Sequence, residues 1–512
     1  MKDLGDRIYT FLSSARFFRT VIVFFVFESA WIALSAVYPQ AFDESFHFGL
    51  IQTYSHHWLP FLSSQPPDSN AFGAVARDPS YLYHYLMSFP YRLVAHFVHG
   101  QNVQVIILRL IDTGLFATGL ILFRKILLRV GLSRAMASLS ILLFALIPIV
   151  PQLSSQINYD NLLFPLVACT ILLAFNVMDQ LRAHKPRVNY IVGLISLCFF
   201  TSIVKYAFLP IFLAVGVFLT VVLYKAYRHK ISNFFADLLK DIKKTSVKSR
   251  IILATLLIVS FGMFAQRDLV NIYRYGTVAP SCSTVLSVDA CKAYSPWYYD
   301  YTNHNLVVSQ KAAGTASYKN IVEYAIQWLY WMWYRLFFAV NGPASQFTNY
   351  PPLPLPYATA ILVFLIGLAV CLKWWRRIFK NNLYLVLLFA VSAVYLAVLF
   401  AQGYSTYHYT DVLENMNGRY LLPVLLFLVA ILARALSLAL RYSVATKVVL
   451  AAAIVLLFLQ GGGFLTFISR SDDSWDMNNS VVQKVNDTTR KITNPVLVNG
   501  RKEYNTSLWF FN

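Results

Sequence analysis

Residues 189–224 read NYIVGLISLCFFTSIVKYAFLPIFLAVGVFLTVVLY, an apolar run whose one charged side chain is Lys205. A helix needs about 20 apolar residues to cross a hydrocarbon core of about 30 Å, so the run is too long for a single crossing. A lone lysine at mid-depth would cost about 2.5 to 3.5 kcal/mol, which places Lys205 at a boundary or opposite an anion. The run therefore predicts a tight hairpin of two membrane helices with Lys205 at its tip.

The whole chain has this apolar character. Of its 512 residues 58% are hydrophobic and 13% are charged, and the mean hydropathy is +0.55. Soluble domains carry about 25% charged residues, so the composition excludes a soluble fold. We predict an all-α polytopic membrane protein with about eleven transmembrane helices and interfacial helices in its long outer loops. The predicted spans lie at about 20–38, 103–123, 135–152, 161–178, 189–204, 206–224, 251–266, 356–373, 383–401, 420–440 and 448–468.

The distribution of charge sets the orientation. Lys and Arg number 43 against 23 Asp and Glu, a net charge of +20 that would indicate a nucleic-acid partner in a soluble chain. Here most basic residues fall in segments that are cytoplasmic if the N-terminus is cytoplasmic, as the positive-inside rule requires. The basic stretch 225–250 is then a contact for membrane lipids rather than for nucleic acid. We predict a multi-pass protein of the plasma or inner membrane, with its C-terminus outside.

The sequence divides into one membrane domain, residues 1–468, and a short outer tail, residues 469–512. The first apolar run is longer than the core of a typical signal peptide, so we interpret it as a membrane span. Two outer loops are long, at about 39–102 and about 267–355. We expect function in these outer segments, the tail included, and acceptor choice in the two loops.

Two cysteines, Cys282 and Cys291, share the second long outer loop, whereas Cys169, Cys198 and Cys371 fall in or at the end of predicted spans. The outer compartment permits oxidation, so the loop pair could form a disulfide or stay as two free thiols. We predict the disulfide, with the two Cα atoms about 4.4 to 6.8 Å apart.

A first candidate motif, FDESFHFG at residues 42–49, follows the first span directly. On a helix Asp43 and His47 would share a face, with Glu44 beside them. Acidic residues are favoured at helix N-termini, which is one explanation of this pattern. The other is a general base at the membrane surface, able to take a proton from a hydroxyl group.

A second candidate motif, SSQINYDN at residues 154–161, forms the short outer turn between the third and fourth predicted spans. Turn chemistry alone explains Asn158 and Asp160. Asp160 nevertheless has the same predicted depth and side as Asp43, so the two carboxylates could share one site.

Two basic residues on the outer side complete the candidate set. Arg419 lies in NGRYLLP, residues 417–423, at the outer start of the tenth predicted span. Both Arg419 and Lys205 could simply extend their charged groups into the headgroup region. Alternatively they bind a phosphate, for which a planar guanidinium offers paired donors.

Several other polar and aromatic patterns are weaker. The stretches 81–97 and 326–335 are rich in aromatic residues and predict interfacial or re-entrant helices. Divalent metal binding is weakly supported, because the first outer loop has histidines without regular ligand spacing. These are His56, His57, His84, His96 and His99. We assign no metal ligand.

Four motifs, by their order and their common side of the membrane, resemble those of the GT-C superfamily of membrane glycosyltransferases. They are Asp43-Glu44-x-x-His47, Asn158-Tyr159-Asp160, Lys205 and Gly418-Arg419-Tyr420-Leu421-Leu422-Pro423. Within it they are similar to a bacterial branch of unassigned function and to protein mannosyltransferases. The resemblance covers nearly the whole topology. The outer tail is too short for the carbohydrate-binding domain that some relatives carry.

The resemblance implies transfer of a sugar from a polyprenyl-phosphate donor to an envelope glycan, lipid or protein, on the outer face and with inversion. Asp43 would be the general base, with Glu44 and Asp160 as further catalytic carboxylates. Lys205 and Arg419 would hold the donor phosphate. Contacts to acceptor or sugar would come from His47, Asn158, Tyr159 and Tyr420.

Other function classes stay open at the level of sequence. A polysaccharide polymerase or ligase would use the same lipid carrier. A transporter or lipid flippase would place intramembrane charges along a substrate path, although it would commonly show inverted repeats, which we do not find. A non-catalytic assembly protein is the remaining alternative.

Overall fold

The computed structural model describes most of the chain, including both sides of the predicted hairpin. The described residues are 2–228, 231–315, 320–338, 340, 342, 354–414, 416–440, 464–471 and 473–497. Most of the predicted last span, 448–463, and the end of the tail beyond residue 497 lie outside them.

Within these ranges the chain is built from α-helices and forms no strand. In chain order the helices are α1 Lys2–Ser13, α2 Ala15–Ser35, α3 Glu44–Ser55, α4 Leu82–Phe97, α5 Gln101–Arg129, α6 Arg134–Ala145, α7 Ile149–Ser154, α8 Asp160–Arg182, α9 Val188–Val204, α10 Leu209–Tyr227, α11 Ile231–Lys244, α12 Val247–Phe264, α13 Val270–Tyr275, α14 Cys282–Val285, α15 Val288–Cys291, α16 Ser295–Ala312, α17 Ile321–Phe337, α18 Pro354–Phe379, α19 Leu383–Thr410, α20 Leu422–Leu440, α21 Phe464–Arg470 and α22 Ser480–Leu497.

Seven helical segments of the described chain are long and apolar enough to cross a membrane. They are Ala15–Ser35, Gln101–Arg129, Asp160–Arg182, Tyr206–Tyr227, Val247–Tyr275, Leu383–Thr410 and Gly418–Ala439. Helices suit this setting because every interior backbone N–H and C=O is satisfied within the segment. The chain is therefore an all-α, multi-pass membrane protein. Val188–Val204 is a shorter apolar helix, and Pro354–Phe379 covers the eighth predicted span.

The break predicted at Lys205 is present. α9 ends at Val204, and the backbone of Lys205 is extended, with φ −154° and ψ 117°. One 3-10 turn, Tyr206–Phe208, leads into α10, which has Pro210 in its first turn. Proline suits that position because the N–H it lacks would have no helical partner there. The two apolar helices therefore meet at a short corner that begins at Lys205.

α5 packs extensively against α8 and also contacts α2. The rings of Phe116 and Phe123 stack on Phe164, with centroids 4.2 and 4.6 Å away. Gly119 lies between them, and a Cβ atom there would come within 2.3 Å of the Phe164 ring. Small residues allow membrane helices this close approach. The contact fixes α5 against α8, which begins at Asp160.

The segment 267–355, predicted as a long loop, contributes α13 to α17. A disulfide joins Cys282 to Cys291 with their Cα atoms 5.8 Å apart, so the structure favours the paired state over two free thiols. Within α17, Tyr324 and Trp328 are buried and pack with Tyr407 of α19. The opposite face of α17 exposes apolar side chains such as Leu329, as α4 exposes Leu93 and Phe97.

Candidate functional site

Arg109 of α5 organises the loop between α2 and α3. Its guanidinium donates to the carbonyl oxygens of Ala33, Ala36 and Val37, at 3.1, 2.7 and 3.1 Å. It also holds both carboxylate oxygens of Glu44, at 2.8 and 2.7 Å. Arg109 and Glu44 are fully buried. This bidentate pair ties the end of α2 to the first residue of α3.

Glu44 also reaches the second candidate motif. Its carboxylate accepts hydrogen bonds from the backbone N–H of Gln40 at 2.7 Å and of Ile157 at 3.1 Å. The side-chain amide of Asn158 donates to the carbonyl oxygen of Phe42 at 3.1 Å. The motifs at residues 42–49 and 154–161, which lie far apart in sequence, are therefore hydrogen-bonded to each other. With its oxygens held by four donors, Glu44 is an anchor for the loop.

Asp43 is the more accessible of the two neighbouring acids. It precedes α3 directly, with φ +66°, and its side chain is 53% exposed. Residues other than glycine adopt this left-handed region rarely, although Asp and Asn tolerate it best. Its Oδ2 atom lies 3.0 Å from Nη2 of Arg419. The strained backbone at Asp43 directs its carboxylate away from Glu44 and toward the guanidinium of Arg419.

Asp160 and Lys205 form a second ion pair beside the first. Oδ1 of Asp160 lies 2.7 Å from Nζ of Lys205, and both side chains are nearly buried. The backbone N–H of Asp160 donates to Oδ1 of Asn158 at 2.9 Å, which closes the start of α8. Lys205 therefore faces an anion, as the cost of its burial requires, instead of extending into the headgroup region.

The two cations share one tyrosine. Nζ of Lys205 lies 5.6 Å from the ring centroid of Tyr420, and Cζ of Arg419 lies 5.0 Å from the same centroid. Lys205 also lies 4.4 Å from the ring centroid of Tyr159, and Arg419 lies 5.0 Å from that of Phe42. Cation–π contacts of this kind stabilise a charge that has left water. Residues from the start of α3, the start of α8, the hairpin tip and the start of α20 thus form one cluster.

Gly418 makes the position of Arg419 possible. A Cβ atom at residue 418 would lie 2.6 Å from Cα of Leu336 in α17. The 3-10 turn Gly418–Leu421 packs directly against this helix, and Asn417 caps it by accepting from the Arg419 N–H at 3.0 Å. The glycine of the motif is therefore needed for close backbone approach rather than for an unusual φ angle.

A buried histidine pair lies behind the ion pairs. Nδ1 of His47 is 2.9 Å from Nε2 of His84, and the ring of Tyr159 meets His47 at 4.5 Å. Burial lowers the pKa of His47 well below its ordinary value, and the charges of His84, Arg419 and Lys205 lower it further. Burial lowers the pKa of His84 to about 3. Both rings are therefore neutral at pH 7, and one donates to the other.

Three residues that support the site were not among the candidates chosen from the sequence. They are Arg109, Asp112 and Tyr83; Tyr83 donates to Oδ2 of Asp112 at 2.6 Å, and the same oxygen accepts from the N–H of Asn158 at 3.2 Å. Burial, then the charge of Asp112, raises the pKa of the Tyr83 phenol well above its usual range. Arg109 and Asp112 lie within a predicted span, and an ionisable residue there is itself a signal of function.

The structure brings most of the candidates chosen from the sequence into one cluster. Its members are Asp43, Asp160, Lys205, Arg419, Tyr159 and Tyr420, and His47 and Asn158 contact it. Of the five histidines in the first loop, His84 contacts His47. Among the described residues no three His, Cys, Asp or Glu side chains converge as a metal site would require.

Comparison of the chain with protein-family models, with curated proteins and with solved structures gives no match. Function is therefore inferred from the geometry of the cluster itself.

Proposed function

We propose that the protein is a GT-C-type membrane glycosyltransferase that transfers a sugar from a polyprenyl phosphate to an acceptor hydroxyl. The observation that carries this proposal is the pairing of a half-exposed carboxylate, Asp43, with Arg419, next to the buried pair of Asp160 and Lys205. A base and two fixed cations within one cluster are what displacement of a phosphate leaving group from a sugar needs.

The proposed reaction is a single displacement. The acceptor oxygen attacks the anomeric carbon, the bond from that carbon to the phosphate oxygen breaks, and the electron pair stays on the polyprenyl phosphate. The acceptor proton passes to Asp43, which is the more accessible of the two neighbouring acids. Attack opposite the leaving group inverts the anomeric carbon. Lys205 and Arg419 stabilise the charge that develops on the phosphate.

Arg419 has the hydrogen-bonding capacity for this role. Its Nη2 atom holds Asp43, whereas its buried Nε atom has no hydrogen-bond partner among the described residues. A buried donor without a partner is costly, and a ligand oxygen would remove that cost. A phosphate oxygen that accepted from Nε would satisfy this donor and hold the phosphate of the sugar donor in the cluster.

Neutral histidine and the aromatic rings suit the sugar. His47 meets Tyr159 at its edge, and Tyr159 and Tyr420 present ring faces to Lys205. In the proposal Tyr159, Tyr420, His47 and Asn158 contact the sugar or acceptor, Asp160 orients Lys205, and Glu44 with Arg109 holds the loop that carries Asp43.

The proposal includes a topology. Eleven spans, a cytoplasmic N-terminus and an active site on the outer side of the plasma or inner membrane follow from the hydropathy and the charge pattern. The aromatic helices α4 and α17 would lie in the outer interface, since each buries one face and exposes apolar side chains on the other. The donor would reach the site by lateral diffusion, and the acceptor would come from the cell envelope.

The test is in vitro transfer from a set of polyprenyl-phosphate sugars to envelope fractions, comparing the wild-type protein with Asp43→Asn. We expect transfer to fall at least about 100-fold, because a general base contributes about 10²- to 10⁴-fold. Asn keeps the size of the side chain and tolerates its positive φ.

Asp68→Asn is the matched control, because Asp68 is also an exposed outer-loop aspartate with positive φ, at +56°. It should transfer at the wild-type rate. Near-normal turnover by Asp43→Asn would remove Asp43 from the role of base, and no turnover by the wild-type protein with any donor would favour a transporter.

A further inference from the structure

A second site lies at the ends of the helices opposite to the candidate active site. α8 begins at Asp160, and Lys205 precedes α10 by one 3-10 turn; both helices run to a pocket of about 390 Å³ at their other ends. α10 spans Leu209–Tyr227, which at 1.5 Å per residue separates the pocket from Lys205 by roughly the thickness of a bilayer core. The pocket is therefore independent of the proposed function.

Three basic side chains form the rim of this pocket. Arg182 ends α8, His184 follows it in the loop with φ +53°, and Lys225 lies in the last turn of α10. All three are exposed. Basic residues at helix C-termini complement the helix dipole, but that effect does not require them to surround a pocket.

The carboxylates nearby are already engaged. Asp179 is held by Arg129 and accepts from the hydroxyl of Tyr384 at 2.7 Å, and Asp241 accepts from the backbone N–H of Val188 at 2.8 Å. No carboxylate of the described chain pairs with Arg182 or Lys225. The rim is therefore cationic, and an anion with several oxygen acceptors is its natural ligand.

The wall of the pocket is apolar. Phe218 and Val221 lie one to two turns before Lys225 on α10, and Leu383 begins α19 on the other side. The lipid-facing side of α10 continues with exposed Val217 and Leu213. A soluble anion would use the rim alone, whereas a molecule with a phosphate and an acyl chain would use both the rim and the wall.

We propose that this pocket binds an anionic phospholipid, with the phosphate between Arg182, His184 and Lys225 and an acyl chain along α10 past Val221. Basic pockets between membrane helices on the cytoplasmic side bind lipid headgroups in this way. A bound lipid joins α8, α10 and α19, so it stabilises the folded protein by an amount that grows with the logarithm of the lipid concentration above its Kd.

The test uses the purified full-length protein in detergent, titrated with phosphatidylglycerol, phosphatidylcholine or inorganic phosphate, with binding followed by native mass spectrometry and by the thermal unfolding midpoint. We expect phosphatidylglycerol to bind at least about tenfold more tightly than phosphatidylcholine and to raise the midpoint, with inorganic phosphate unable to displace it. Displacement by phosphate at similar concentration would overturn the lipid assignment in favour of a soluble anion.

The variant Arg182→Gln/Lys225→Gln should bind phosphatidylglycerol at least about tenfold more weakly, because two of the three proposed phosphate contacts lose their charge. Lys240→Gln/Lys243→Gln removes the same charge from α11, outside the pocket, and should bind like the wild type. Equal losses in the two variants would show a general charge effect and overturn the proposed site. The wild-type competition decides the question even if the pocket variant folds poorly.

Discussion

Arg109 is the side chain on which the geometry of the candidate site depends. All of its donor nitrogens find partners, in three backbone carbonyls and the carboxylate of Glu44. Glu44 in turn accepts from Ile157 in the turn that carries Asp160. A fully buried ion pair adds little net stability compared with an apolar pair, but removing one partner leaves an uncompensated charge.

We therefore expect Arg109→Met to destabilise the protein by about 3 to 5 kcal/mol, measured by unfolding in detergent. The cost has two sources, the buried charge of Glu44 and the three carbonyl oxygens left without donors. Lys292→Met serves as the control, because Lys292 pairs with Asp289 at an exposed position. It should unfold like the wild type. A stable Arg109→Met protein would show that the loop is held by other contacts.

The histidine pair makes stability depend on pH. Burial is the first cause of the lowered pKa in both His47 and His84, so the folded state excludes protons that the unfolded chain binds near pH 6.5. Stability from this source is complete above about pH 6.5 and is lost as the pH falls toward the folded-state pKa.

The thermal unfolding midpoint should therefore decrease as the pH is lowered from about 7.5 to about 5. In His84→Gln this decrease should be smaller. His99→Gln, an exposed histidine of the same loop, should leave the slope unchanged. Comparing slopes cancels the contribution of other groups such as Asp78, whose pKa is raised by burial. Identical slopes for all three proteins would contradict the assignment of two buried neutral rings.

At the scale of helices, the site depends on how closely α5 approaches α8. α5 supplies Arg109 and Asp112, and α8 supplies Asp160 and follows Asn158. They approach closely at Gly119, where the ring of Phe164 occupies the space that a Cβ atom would take. A change there should move both groups of site residues relative to each other.

We expect Gly119→Ala to lower stability by about 1 to 3 kcal/mol through overpacking, measured by the unfolding midpoint in detergent. Gly114→Ala is the control on the same helix, since nothing lies within 4 Å of a Cβ atom at residue 114. Gly114→Ala should leave the stability of the protein unchanged or raise it, because alanine has a higher helix propensity than glycine. Adding Phe164→Leu should restore part of the loss in Gly119→Ala; failure to do so would place the strain elsewhere.

For the whole molecule, the charge pattern predicts how the chain is oriented across the membrane. A labelling experiment can test this orientation. In a protein without its native cysteines, Asp289→Cys should react with a membrane-impermeant maleimide in intact cells, because the disulfide-bearing loop is proposed to be outside. Lys240→Cys should react only after permeabilisation, because basic segments are retained in the cytoplasm. The reverse pattern would invert the topology and place the candidate active site inside.

Part of this architecture can be predicted from sequence, because hydropathy and helix length are local properties that the thickness of a bilayer turns into spans. The hairpin break at Lys205 and the all-α membrane class follow in this way. The short motifs around Asp43, Asp160, Lys205 and Arg419 could also be chosen from their predicted depth. Arg109 and Asp112 are ionisable residues inside an apolar span, which is itself a sign of function. They could therefore have been chosen from the sequence as well.

Which of these groups touch was decided by the tertiary structure alone. Arg419 pairs with Asp43 across 376 positions of sequence, and Arg109 pairs with Glu44 across 65. Two adjacent acids take different places, with Glu44 buried on Arg109 and Asp43 left half-exposed. Sequence cannot separate them, because their environments depend on which helix faces pack together, and that is set by close contacts such as Gly119 on Phe164.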